Sequence, residues 1–115
     1  MSNRASEGAK ADQAVAERLR SAGFEVVRTS VQASDIGADV VAWAANAEGE
    51  IVPWVAVEMK LSRRPIPPEL TLPHLARARD VLGTRDHYAV IDGDWYKADR
   101  ALRSLELVDG TSEPP

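Results

Sequence analysis

Apolar and polar residues alternate with two different periods along this chain, and the changes of period divide it into helices and strands. From about Lys10 to Ala22 the apolar positions Val15, Ala16, Leu19 and Ala22 recur at helical spacing, and Gly23 supplies a stop. Asp12 falls on the same inward face, while Glu17 and Arg20 point away. Phe24 to Arg28 reads as a first strand. A loop carrying Ser30 follows, then a turn-like run from Ser34 to Ala38. Asp39 opens a second, apolar strand that runs to Trp43. Asn46 to Glu50 reads as a hairpin loop and Ile51 to Lys60 as a third strand, with Pro53 at an irregular or edge position. Arg64 to Pro68 is a stiff linker. A second helix is predicted from about Pro73 to Leu82, with proline in its first turn and Gly83 at its end. Leu75, Ala78, Arg79 and Leu82 share one of its faces, along which the aliphatic stem of Arg79 can lie. His87 to Ile91 is a strand, and Asp92-Gly93-Asp94 turns it into Trp95 to Ala98. Asp99 is placed to cap a short final helix ending at Leu105. Helix, three strands, helix, two strands and short helix predict an α/β fold, a mixed β-sheet flanked by helices.

At 115 residues the chain is expected to form one domain over residues 9–108, between flexible tails at 1–8 and 109–115. The absence of cysteine excludes disulfides, thiolate zinc sites and cysteine nucleophiles. No apolar run is long enough to span a bilayer, and Met1 to Gly8 has no signal-peptide core. The expectation is a cytoplasmic protein. The net charge of −4 argues against a broad nucleic-acid surface. Its distribution is uneven, however, because Lys60, Arg63 and Arg64 cluster directly after the third strand.

The end of that strand carries the most suggestive chemistry. In Val55-Ala56-Val57-Glu58-Met59-Lys60 the valines and Met59 point to one face, and Glu58 and Lys60 to the other. With Asp39 on the neighbouring strand, two carboxylates and a lysine form a candidate site for a divalent metal and a phosphate. The expected chemistry is phosphodiester hydrolysis. Plainer roles compete for several residues. Asp39 is also a plausible turn residue, and Asp12 suits the positive end of a helix dipole. Arg63 and Arg64 also fit a solvated basic run. His74 and His87 have no companions at ligand spacing and read as structural. Trp43, Trp54 and Trp95 read as core or interface residues.

These elements, in this order, resemble the PD-(D/E)XK nuclease fold with its restriction-endonuclease-like core, and within it the archaeal-type Holliday junction resolvases. The resemblance runs from about Lys10 to about Leu105. It rests on the helix acid Asp12, the strand Gly23-Phe24-Glu25-Val26-Val27-Arg28, the serines Ser30 and Ser34, Ala38-Asp39-Val40-Val41-Ala42, and Val57-Glu58-Met59-Lys60 with Ser62-Arg63-Arg64 after it. Ala38 stands where the family has proline, and Asp12 where it usually has glutamate. The resemblance implies an Mg²⁺- or Mn²⁺-dependent DNA endonuclease of recombination and repair, a homodimer acting on branched DNA. It implies Asp39, Glu58 and the main-chain carbonyl of Met59 as metal ligands, with Asp12 supporting the metal and Lys60 acting on the attacking water or the phosphate. Arg28, Ser30, Ser34, Arg63 and Arg64 become candidate DNA contacts. A restriction- or repair-type endonuclease of the same fold and a non-catalytic DNA- or partner-binding relative are the alternatives.

Overall fold

Alternation in the strands leaves both sheet faces apolar at the centre, so each face needs a helix to cover it. In the computed structural model, which describes residues 4–33, 36–61 and 65–108, this is the arrangement found. Six strands form one mixed sheet in chain order: β1 (Val26–Ala33), β2 (Ile36–Ala45), β3 (Ile51–Lys60), β4 (Asp86–Ile91), β5 (Asp94–Ala98) and β6 (Leu105–Val108). Only β3 and β4 pair in parallel. A parallel pair needs a crossover, which is supplied by a 3₁₀ turn (Pro68–Thr71) and helix α2 (Leu72–Leu82).

Helix α1 (Arg4–Ser21) covers one face. Its Val15, Ala16 and Leu19 form the main core with Val27, Val40, Ala42, Val55, Val57, Tyr88, Val90 and Trp95. Helix α2 covers the other face: Ala78 meets Ala56, and Leu75 joins a smaller cluster with Ala98 and Leu102. Residues that alternate with the α1-facing valines therefore turn toward α2, and Glu58, which reaches His74 of that helix, is among them.

The structure corrects several expected boundaries. Helix α1 reaches back to Arg4, into the segment expected to be a tail. Strand β1 continues through Ser30 to Ala33, and β2 begins at Ile36, because backbone pairing extends to Ala33 opposite Ile36. Ser30 is thus in a strand, not a loop, and Asp39 lies inside β2 rather than opening it. The expected final helix is absent. The Asp99 carboxylate accepts N–H bonds from Arg103 (2.7 Å) and Ser104 (3.2 Å) and closes a turn. Leu102 takes a left-handed φ of 55°, which no helix accommodates, and β6 follows. Ser34 and residues 109–115 lie outside the described residues.

The expected irregularity at Pro53 is present as a register shift opposite Ala42 and Trp43. Gly83 ends α2 in the left-handed region at φ 74°, its N–H bonded to the Arg79 carbonyl at 2.8 Å. Substituting Gly83→Ala is expected to cost about 1 kcal/mol through backbone strain alone, since a Cβ there would meet nothing within 4 Å. A denaturant melt checks this; an unchanged midpoint would contradict it.

Candidate active site

The register of the sheet lines up the chemistry of the chain in one row. Val40 pairs with Val57 and Val41 with Ala56, so one step further along the same ladder Asp39 stands opposite Glu58. Ser30 lies between the pairs Thr29–Val40 and Val31–Ala38, which is the register position of Asp39 on the other side. Glu58 pairs onward with Ala89 of β4, whose small side chain leaves room above the row. Lys60 is two residues beyond Glu58 on the same face, and Arg28 is two rungs back, opposite Val41.

The ladder between β2 and β3 is altered at this point. The Met59 N–H donates to Asp39 Oδ2 at 2.7 Å, so a side chain takes a backbone hydrogen bond at the strand end. This pins Asp39 against β3. The Met59 backbone thus meets Asp39 through its N–H. Asp12 approaches from α1. Together with Ala11, Asp39, Met59 and Leu61 it lines a crevice of about 220 Å³ at the end of the sheet. A larger groove of about 500 Å³ lies near the other end of β2, around Phe24, Trp43 and Trp54, away from this row.

Electrostatics bind the three acids into one unit. Glu58 is only 8% exposed, and its pKa is pushed up to about 8. Burial is the main cause. A hydrogen bond shared with the Asp39 carboxyl, the charge of Asp39 and that of Asp12 add to it, and Lys60 opposes it. Asp12 is also raised, first by burial and then by Asp39. Among the described residues no three His, Asp or Glu side chains stand at metal-ligand spacing; Glu58 and Asp39 are joined by a hydrogen bond instead. The donors are carboxylate oxygens, the type a hard divalent cation prefers, and the charge of Asp39 raises the pKa of both Asp12 and Glu58.

Comparison with protein-family models, curated proteins and solved structures finds no match for this chain.

The remaining residues singled out in the sequence divide clearly. Arg28 is exposed, with its guanidinium 5.9 Å from the centre of the Trp43 ring. Arg63 and Arg64, like Ser34, lie outside the described residues. Trp95 is buried in the main core, edge-on to Tyr88 at 5.7 Å. His87 is buried and bonded to the Thr84 hydroxyl at 2.8 Å; burial, then Arg79, lowers its pKa. His74 is different. Its Nδ1 lies 3.8 Å from Glu58 Oε2, which sequence reading missed. A signal was present: His74 is one helical turn before the inward-facing Ala78, and α2 covers the face that carries Glu58.

Proposed function

We propose that this protein is a metal-dependent DNA endonuclease with a restriction-endonuclease-like core, similar to the Holliday junction resolvases. In this reading it works in the cytoplasm as a homodimer on branched DNA. The observation that carries the proposal is the convergence of Asp12, Asp39 and Glu58, from three separate elements, beside Lys60 at one end of the sheet.

Asp39 and Glu58 would hold Mg²⁺ or Mn²⁺, assisted by Asp12 and the Met59 main chain. When bound, the ion supplies positive charge to the phosphate and lowers the pKa of water. Lys60 projects from the same face as Glu58, where its ammonium can neutralise charge growing on the scissile phosphate. Arg28 is exposed on that face, and in this reading it would meet the DNA backbone. Burial of Glu58 keeps its carboxylate poorly hydrated and hence a stronger electrostatic partner. A homodimer would present two such sites, as paired cuts on a two-fold symmetric junction require.

The test is cleavage of labelled four-way junction, flap and linear duplex DNA with Mg²⁺ or Mn²⁺, wild type beside Lys60→Ala. Paired symmetric nicks in the junction are expected, reduced on the order of 10²-fold in the variant. Cutting of flap or duplex in place of the junction would reassign the protein to the restriction- or repair-type endonucleases. No metal-dependent cleavage of any DNA would sink the enzyme reading and leave a binding relative.

A further inference from the structure

Between helix α1 and the tip of the β4–β5 hairpin lies a cavity of about 240 Å³ that the scheme above does not use. Its wall is apolar: Val15 from α1, Val90 from β4 and Trp95 from β5, all part of the main core, with Met59 from β3 beside them. Its rim is polar and tied down. Asp92 and Gly93 form the two-residue turn of the hairpin, both in the left-handed region at φ 49° and 90°. The Asp92 N–H is bonded to the Lys60 carbonyl at 3.0 Å. From α1 the Arg18 guanidinium lies over the Trp95 ring, 4.8 Å from its centre.

These features define a ligand. The cavity is smaller than the about 300–1,000 Å³ that holds a drug-sized molecule, so it suits one flat ring system. Apolar walls and a guanidinium plane are what the faces of an unstacked base require. A carboxylate has about four acceptor sites and a guanidinium about five donors. Asp92 and Arg18 can therefore meet donor and acceptor groups on the edge of the ring in addition to their contacts within the protein. A purely apolar ligand would make no use of this rim. Location then selects the source of the ring. Ala11, Met59 and Leu61 border both this cavity and the crevice of Asp12 and Asp39. A nucleotide whose phosphate lies at the carboxylates can place its base here, but a base paired and stacked within a duplex cannot enter.

We propose that this cavity takes an unpaired base of the DNA strand, packed between its apolar wall and the Arg18 guanidinium, beside the carboxylates. The inference rests on reading the carboxylate row as acting on DNA. It adds a requirement for an unpaired nucleotide next to the site, of the kind that branch points and flaps supply.

Ala14 provides the variant, because it is exposed on α1 and lines the cavity, so a larger side chain can fill the space without entering the core. Gln13 is the control, exposed on the same helix and outside the lining. The experiment is an NMR titration of the metal-free protein, read at the Val90 and Gly93 amides. The probes are a single-stranded DNA trinucleotide, the same trinucleotide with an abasic central residue, and deoxyadenosine monophosphate. Removing the central base and Ala14→Phe are each expected to weaken binding at least about fivefold, and Gln13→Phe to change it less than about twofold. Circular dichroism melts check that the variants fold, and the abasic comparison decides the matter without them. Equal affinity for the abasic strand, undiminished binding by folded Ala14→Phe, or no shift at these amides in wild type would overturn the proposal. Deoxyadenosine monophosphate bound as tightly as the strand would overturn it too, in favour of a free nucleotide. Metal-dependent DNA cleavage with none of these base effects would leave the nuclease reading standing without this inference. Base-dependent binding without cleavage would support the base site and count against the nuclease reading alone.

Discussion

Replacing Glu58 with glutamine is expected to abolish metal-dependent cleavage while making the metal-free protein more stable at high pH. Both effects come from one cause. Glu58 is buried and faces Asp39 from β2, Asp12 from α1, His74 from α2 and Lys60 from its own strand. Its pKa rises from an ordinary 4.5 to about 8. Between those values the folded protein holds a proton that the unfolded chain has released. Stability therefore falls as pH rises through this window, and the deficit is complete above about 8. Glutamine keeps the shape of the protonated acid and cannot ionise, so Glu58→Gln should match wild type near pH 4.5 and melt at higher temperature near pH 9. If the proposed function holds, cleavage should drop by at least on the order of 10²–10³-fold, because the variant lacks the anionic ligand that reading assigns to Glu58. Mg²⁺ must displace the same proton, so wild-type metal affinity is expected to weaken as pH falls below about 8. A wild-type melting profile without this pH dependence would show that the three acids do not share one environment. Persistent cleavage by Glu58→Gln would move the chemistry elsewhere.

Legibility in the sequence followed the range of the interaction involved. Strand β3 was readable to its last residue, because alternation, the Asn46–Glu50 loop and Pro53 are all local signals. The end of α2 was equally plain from Gly83. The second half of β1 was not. Thr29-Ser30-Val31-Gln32-Ala33 is no more apolar than a loop, and it becomes a strand through backbone pairing with β2. Strand β6 was hidden in the same way, since pairing with β5 and the turn built on Asp99 override the local helical preference after Ala98. The closeness of Asp12, Asp39 and Glu58 had a local trace, because strand alternation and helical spacing set the directions of their side chains. His74 was missed because its meeting with Glu58 depends on where the crossover sets α2 down, a tertiary fact with only an indirect local trace.

Leu19→Ala is expected to produce the largest loss of stability of any single change considered. Leu19 is fully buried in the cluster that joins α1 to the sheet. Truncation removes its transfer energy and leaves a cavity between a helix and a sheet that cannot fully close. The usual cost is about 2–5 kcal/mol. A domain of this size has a total stability of about 5–15 kcal/mol, so the melting temperature should fall by roughly 10 °C or more. The consequence reaches the site. Asp12 lies two turns before Leu19 on the same helical stripe, and α1 is what holds its carboxyl in the crevice beside Asp39. Asp12→Asn provides the contrast. It removes a carboxyl already raised by burial and by Asp39, so it should leave the melting temperature unchanged or slightly higher while weakening the metal binding that the proposed function requires. Leu19→Ala, well below its melting temperature, should retain metal binding because the carboxylates remain. If Leu19→Ala instead cost less than about 1 kcal/mol, α1 would not be packed as described. Asp12 would then lose its claim to a place in the site.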